Sequence, residues 1–108
     1  MKKLIIAIVS NEDSAAASRA LTKEKFWVTR LATTGGFLMS GNTTMLVGTE
    51  EERVDEAIRI IGENSRKRQK IVAASPSFNA GMYSGVPVEV TVGGATIFVV
   101  DVERYEKL

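Results

Sequence analysis

Cysteine and histidine are both absent from the 108-residue sequence. Their absence excludes disulfide bonds, metal sites built on thiolates or imidazoles, a cysteine nucleophile and a histidine general base. Carboxylates, Lys, Arg, Tyr and hydroxyl groups remain, but no pattern in the sequence positions two carboxylates around a substrate. We therefore expect a protein that is not an enzyme and that has no catalytic residues, no metal ligands and no cofactor.

A strong charge excess and a long apolar segment are also missing. The formal net charge is +1, whereas proteins that bind nucleic acid usually carry a marked basic excess, so we expect no nucleic-acid partner. The N-terminal apolar run ends at Ser10, which makes it too short for a cleavable signal peptide or a membrane-spanning helix. We expect a cytoplasmic protein without direct membrane insertion, folded as a single domain over residues 1–108.

The apolar periodicity predicts strands and two helices in a regular order. Strands are expected at residues 3–9, 26–33, 42–48, 70–74, 86–92 and 95–102, and helices at residues 15–25 and after Thr49. Thr49 and Glu52 form a capping-box pattern for the second helix, and Gly93-Gly94 is typical of a two-residue hairpin turn. This order indicates an α+β, ferredoxin-like βαββαβ sandwich with an extra C-terminal hairpin and a long loop at about residues 65–86.

Three of the predicted strands are apolar at consecutive positions, at residues 4–9, 45–47 and 97–100. In a ferredoxin-like fold both helices cover the same side of the sheet, so the other side would expose a large apolar surface. Monomers seldom tolerate such a surface, and closed cyclic oligomers bury it. The pattern therefore favours an oligomer over a monomer with a mildly apolar surface.

The segment between the second and third predicted strands, residues 33–44, combines three glycines with several hydroxyl groups. Glycines let successive backbone N–H groups approach an anion closely. Asn42 adds a hydrogen-bond donor and an acceptor, and Phe37 offers a ring on which a base can stack. A nucleotide-binding loop fits these residues, and so does an ordinary hairpin loop whose Phe37-Leu38 pair closes the core. The pattern is not a Walker or dinucleotide-binding motif.

The same region resembles a known family. Residues 29–38 (TRLATTGGFL) and 40–44 (SGNTT) are similar to the PII-like cyclic di-AMP receptor proteins of Gram-positive bacteria. The first strand, residues 3–9, and the last two strands, residues 87–90 and 92–99, also match that family. The resemblance covers the whole chain apart from the long loop.

This resemblance implies a homotrimer of ferredoxin-like subunits, with one cyclic di-AMP molecule in each cleft between neighbours. The implied ligand-binding residues are Trp27, Thr29, Gly35, Gly36, Phe37, Leu38, Asn42, Gly48 and Phe98. Phe37 and Phe98 are expected to stack on or flank adenine, and Thr29 and Asn42 to hydrogen-bond a base or a phosphate. Backbone N–H groups of residues 36–38 are expected to meet the phosphate oxygens. Occupancy would rearrange the long loops, which touch an unknown protein target.

The sequence departs from the family at three places. Members of the family carry a basic residue at the position of Trp27, whose ring is expected either to stack on adenine or to pack within its own subunit. The long loop is shorter than usual and lacks a Tyr-x-Pro-Tyr-Pro type of stretch. Residues 105–108 are not expected to supply the polar tail contact that some relatives make to the ligand.

Several alternatives stay open beside this resemblance. The same fold could bind ATP, ADP or AMP, or it could be a ligand-free protein-interaction module. The basic run at residues 66–70 could dock an acidic partner or help to hold phosphate, or it could be a solvated charge run at the end of a helix. Copper-binding relatives, acylphosphatase-like enzymes and RNA-recognition domains fit poorly. The sequence lacks their metal ligands, their Arg-bearing phosphate loop after the first strand, and their aromatic residues on the central strands, respectively.

Overall fold

The computed structural model describes residues 1–31, 41–73 and 87–108. In these ranges the chain forms β1 (Lys2–Ser10), α1 (Asn11–Lys23), β2 (Trp27–Leu31), β3 (Asn42–Glu50), a 3-10 turn (Glu51–Arg53), α2 (Val54–Glu63), β4 (Arg68–Ala73), β5 (Pro87–Val92) and β6 (Ala95–Asp101). Four strands build an antiparallel sheet in the order β2-β3-β1-β6, and β4 pairs with β5 in a second sheet. The predicted α+β class is confirmed, and the topology is compatible with a ferredoxin-like fold in which β4 and β5 are inserted before the last strand.

Both helices cover one side of the four-stranded sheet. Ile5, Ala7 and Val9, at alternate positions of β1, are buried on that side, and two of them lie opposite Val47 and Met45 of β3. The helices and the turn before β2 complete the core with Ala17, Leu21, Phe26, Ala57, Ile60 and Ile61. Each helix therefore buries one stripe of side chains at helical spacing, and apolar burial of this kind is the main favourable term in folding.

Both helices begin at residues other than those predicted. The first begins at Asn11 rather than at residue 15, with Ser10 in extended backbone as its N-cap residue. The second does not begin at a Thr49 cap, because the β1–β3 ladder continues through Thr49 to Glu50. Thr49 is a buried strand residue, and the helical turn after Glu50 has no side-chain cap. The predicted capping box is therefore wrong, since pairing with β1 holds Thr49 in extended backbone.

Gly93 and Gly94 do not form the predicted hairpin turn. β5 pairs with β4, whereas β6 pairs with β1, so the two glycines form a corner between two sheets. Both have positive φ, 89° and 88°, and a Cβ on Gly93 would lie 2.2 Å from the carbonyl oxygen of Arg66. The extra strand pair is thus β4–β5, here called the arm, and the predicted C-terminal hairpin is wrong. Of the predicted loop at residues 65–86, β4 occupies residues 68–73, and residues 74–86 lie outside the described residues.

Alanine substitutions at Gly93, in the corner, and at Gly62, in α2, should have opposite effects on the free energy of unfolding. Gly93→Ala should lower the free energy of unfolding by roughly 1–3 kcal/mol, because a side chain there meets both a left-handed backbone and a carbonyl oxygen. Gly62→Ala, in α2, should raise it by roughly 0.5–1 kcal/mol, because alanine favours helix more than glycine does; a Cβ there has no atom within 4 Å. Urea denaturation measures both. Equal stability of the two variants would contradict the strained corner.

Candidate functional site

The side of the four-stranded sheet turned away from the helices is called the open face. In an antiparallel ladder, residues directly opposite one another share a face. Because Ile5, Ala7 and Val9 face the helices, the alternate residues of β1 face the other way, together with their cross-strand partners. The rows across the open face are Trp27–Gly48–Leu4–Val100, Thr29–Leu46–Ile6–Phe98 and Leu31–Thr44–Ile8–Thr96. Both sides of the sheet are therefore largely apolar, which confirms that prediction.

The open face carries all the predicted ligand-binding residues that the structure describes. These are Trp27, Thr29, Asn42, Gly48 and Phe98, with Asn42 opposite Ser10 beyond the last of the three rows. The other four, Gly35, Gly36, Phe37 and Leu38, lie outside the described residues. Five residues predicted from a motif resemblance thus share one surface, on three different strands.

Trp27, Thr29 and Gly48 lie together at one end of β2 and β3 and are called the aromatic corner. The Trp27 side chain stands opposite Gly48 and is 58% exposed. A Cβ on Gly48 would have no atom within 4 Å. The glycine therefore leaves open space beside the indole ring, and a planar base fits that geometry.

A shallow, open pocket of about 240 Å³ adjoins the aromatic corner. It is lined by Lys2, Lys25, Phe26, Trp27, Gly48, Thr49, Glu50 and Arg53. Small-molecule sites usually measure roughly 300–1,000 Å³ and enclose most of the ligand. The pocket formed by the described residues of one chain is therefore smaller and more open than such sites usually are.

The lining of this pocket carries more positive than negative charge. Lys2 Nζ lies 3.0 Å from Glu50 Oε1, and the hydrogen bond and charge of Lys2 lower the pKa of the Glu50 carboxyl. Arg53 is engaged with Glu56 at 3.1 Å. Lys25, exposed and with φ of 70°, adds a further cation at the rim. The balance suits a phosphate better than it suits a cation.

The tail, residues 102–108, returns across the end of the sheet to the aromatic corner. The Val102 N–H donates to the Lys2 carbonyl oxygen at 3.1 Å. Lys2 Nζ lies 5.1 Å from the centroid of the Tyr105 ring, and Lys107 Nζ lies 3.9 Å from the centroid of the Trp27 ring. A cation–π contact at an exposed site contributes about 0.5–1 kcal/mol. The tail thus places a positive charge at the position where the sequence lacks a basic residue.

Phe98 and Asn42 stand apart from the aromatic corner within one chain. Phe98 is 54% exposed on β6, the edge strand opposite β2. It shares a row with Thr29 but lies three strand spacings away, roughly 14 Å. Asn42 lies six residues along β3 from Gly48, or roughly 20 Å. A ligand that contacts both Phe98 and the aromatic corner must therefore span the sheet or bridge two chains.

Three cations near the candidate site, Lys2, Lys25 and Lys107, were missed by sequence reasoning. The strand alternation that placed Leu4 on the open face also places Lys2 there, so this residue could have been found. Lys107 offered no such signal, because the tail lies beyond β6 and its contact with Trp27 joins opposite edges of the sheet.

Metal binding and membrane spanning find no support in the ranges that the structure describes. Within them, no three Asp, Glu, His or Cys side chains lie close enough together to hold a metal ion. No helix in the same ranges has the length and hydropathy needed to cross a bilayer.

Comparisons with known proteins agree with this geometry. A crystal structure of a functionally unknown protein from Pediococcus pentosaceus is 40% identical to this chain, with a TM-score of 0.74. The match covers 99% of this chain and 97% of that chain. The family model for the cyclic-di-AMP receptor matches residues 1–108, the whole sequence, and that family is a binding and signalling family. The resemblance carried by residues 29–44 is thereby confirmed, and the chain belongs to the cyclic-di-AMP receptor family.

Proposed function

We propose that this protein is a signal-transduction receptor that binds cyclic di-AMP in clefts between the subunits of a homotrimer. Binding of cyclic di-AMP rearranges the long loops of the receptor, and these loops relay the signal to a protein target. The observation that carries the proposal is the match of the whole chain to a cyclic-di-AMP receptor family. The open face supports it, because the described candidate residues lie together on that surface.

The two edge strands support the proposed placement of the site between subunits. Trp27 and Thr29 lie on β2, and Phe98 lies on β6, at opposite edges of the same sheet. In a closed ring of identical chains, the β6 edge of one subunit can approach the β2 edge of the next. Phe98 of one copy then flanks the aromatic corner of its neighbour, and the cleft completes the small pocket of the single chain.

Within that cleft the chemistry divides between rings and polar groups. Trp27 and Phe98 offer exposed rings, and stacking of a base on an aromatic side chain contributes about 1–3 kcal/mol. Thr29 offers a hydroxyl for a base edge or a phosphate oxygen at the aromatic corner, and Asn42 offers an amide at the other end of β3. Gly48 leaves the space beside the Trp27 ring that a base needs. Residues 35–38 complete the proposed site on the strength of the family resemblance.

Positive charge for a doubly anionic ligand comes from several parts of the chain. Lys2 and Lys25 line the pocket, and the tail brings Lys107 to the Trp27 ring. Interactions between exposed charges are weakened by salt. The affinity for cyclic di-AMP should therefore fall with ionic strength, while the stacking part of the binding energy persists.

A nucleotide panel tests the proposed ligand directly. Cyclic di-AMP at about a hundred times its dissociation constant adds about 2.7 kcal/mol of stability, which should raise the melting temperature by at least about 5 °C. Cyclic di-GMP should leave it unchanged. Titration calorimetry against cyclic di-AMP, ATP, ADP and AMP ranks the adenine nucleotides. A preference for ATP, ADP or AMP would change the ligand, and no response to any nucleotide would favour a ligand-free interaction module.

Gly48 offers a test of the aromatic corner with a matched control. Gly48→Val fills the space beside Trp27 and should weaken cyclic di-AMP binding at least tenfold, while Gly62→Val, also a glycine with no atom within 4 Å of a Cβ, should change it less than twofold. Asn42→Ala should remove most of the thermal response. Calorimetry gives the affinities, and the single tryptophan reports binding by fluorescence. Unchanged affinity in Gly48→Val, with its fold intact, would place the ligand elsewhere.

The trimer is tested through the centre of the open face. Ile6→Glu puts a charge between Leu46 and Phe98 and should dissociate the trimer, because an unpaired charge buried in an apolar interface is costly. Thr22→Glu, on the exposed surface of α1, should leave it intact. Light scattering after size exclusion should give three chain masses for the wild type and one for Ile6→Glu. A monomeric wild-type protein would refute the cleft between subunits.

A further inference from the structure

The first turn of α1 is bonded to the segment that leads into β3. The Asn11 N–H donates to the Gly41 carbonyl oxygen at 2.9 Å, and the Thr43 hydroxyl donates to Asn11 Oδ1. Asn42, a candidate ligand residue, lies between these two contacts. Thr43 stands opposite Val9 and so lies on the helix side of the sheet, away from the open face. Asn11 therefore holds the start of β3 from behind the candidate site.

Glu12 and Asp13, the next two residues of the same turn, are bonded to the root of the arm, which comprises residues 65–70 with Gly93 and Gly94. Arg68 Nη2 lies 2.9 Å from Asp13 Oδ1 and 3.3 Å from Glu12 Oε1, and Arg68 Nη1 lies 3.3 Å from Asp13 Oδ2. Lys70 Nζ lies 3.2 Å from Glu12 Oε2. The basic run at residues 66–70 is thus neither wholly solvated nor wholly available to a partner, because two of its cations are bound by α1.

Asp13 is the strongest of these links because its carboxylate is shielded from water. Its side chain is 9% exposed, and the Ser10 hydroxyl donates to it at 2.8 Å. Burial alone would raise the pKa of the Asp13 carboxyl, but the hydrogen bonds from Arg68 and Ser10 and the charge of Arg68 outweigh it and lower that pKa. The carboxylate therefore stays ionised and paired at neutral pH. Two-pronged, partly buried pairs of this kind hold geometry better than exposed ion pairs do.

Separate contacts fix the other side of the arm root. The Gly94 N–H donates to the Ser65 carbonyl oxygen, and Arg68 Nη1 donates to the Arg66 carbonyl oxygen at 2.9 Å. The two glycines fit closely against this segment, since a Cβ on Gly93 would overlap it. The root of the arm is thus held in two ways, by contacts with backbone carbonyl groups of residues 65 and 66 and by ion pairs of Arg68 and Lys70. Of these contacts between described residues, the ion pairs are the ones that join the root to α1.

We propose that Asn11, Glu12 and Asp13 couple the start of β3 to the arm, so that a change at Gly41–Thr43 alters how firmly the arm is held. Three consecutive residues in one helical turn share a backbone, and a shift of one displaces the others. The coupling stands on contacts within the chain; its use as the relay for cyclic di-AMP rests on the proposed function. Asn11 and Asp13 are positioning residues in this scheme, since neither lies on the open face.

Coupling of this kind is reciprocal and has a measurable size. If two sites are linked, each changes the other by the same factor, typically about 5–150-fold. If Asp13 only supported the arm, replacing it would loosen the arm and leave hydrogen exchange near Thr43 unchanged. The reciprocal effect therefore separates coupling from local support.

Hydrogen exchange without ligand tests the coupling. Thr43→Val removes one hydroxyl at the β3 end and should raise exchange of the arm amides, residues 68–73 and 87–92, at least fivefold. Asp13→Asn and Arg68→Gln should do the same, and should also raise exchange at residues 42–44. Arg59→Gln, which breaks an exposed 2.7 Å pair with Glu63 on α2, is the matched control and should change neither region more than twofold. If Thr43→Val leaves the arm unchanged while Arg68→Gln loosens it, the two elements are independent and the inference is wrong.

Cyclic di-AMP then tests the relay in the full-length protein. Arg68→Gln should change the cyclic di-AMP dissociation constant at least fivefold although Arg68 is not on the open face, and Arg59→Gln should change it less than twofold. In Thr43→Val/Arg68→Gln the two effects should be non-additive. Binding that is identical in Arg68→Gln and wild type would overturn the relay. A wild-type protein that binds no cyclic di-AMP would overturn the proposed function instead, and the ligand-free exchange would then decide the coupling by itself.

Discussion

The central position of β1 is the constraint on which the rest of the structure depends. This strand is hydrogen-bonded along both edges, to β3 and to β6, and its side chains alternate between the two sides of the sheet. Ile5 and Ala7 face the helices and fix the core, so Leu4 and Ile6 must face outward. A slip of one residue would exchange the two sides everywhere. The register of β1 therefore decides at once what the helices bury and which residues meet on the open face.

Sequence patterns predicted the parts of the fold that depend on local periodicity. The apolar run of β1 lies where expected, and both helices occur in the expected order, although each begins at a residue other than the one predicted. Strand pairing was harder to predict, because the same turn residues fit a hairpin within one sheet and a corner between two sheets. Gly93-Gly94 provides positive φ for either, and β5 pairs with β4 although β6, which pairs with β1, is an edge strand. Thr49 shows the same limit, because a ladder outweighed a capping pattern that is worth only about 0.5–2 kcal/mol.

The candidate site could be predicted residue by residue but not as an assembled surface. The motif resemblance named Trp27, Thr29 and Phe98, and pairing registers show that these share one face yet lie on opposite edges. The charge of the site was the least predictable feature. Trp27 stands at a position where members of the family are expected to carry a basic residue. The tail brings the positive charge of Lys107 onto the Trp27 ring, and this contact joins segments that are remote in sequence. Because the exposed contact is weak, the cation can turn towards a phosphate at little energetic cost.

The arm interrupts the ferredoxin-like order between α2 and β6, where it contacts α1 and leaves the pairing of β1 unchanged. It enters after α2 and leaves at the corner into β6, so neither of its strands alters the pairing of β1. Its root is nevertheless tied by Arg68 to Asp13, which lies two residues from Asn11, the residue that holds the start of β3. A receptor needs a site that is rigid and an output that is not. Where the structure describes its side chains, the arm is held to α1 by a few polar contacts, and an element held in this way opens locally at a lower free-energy cost than the core does.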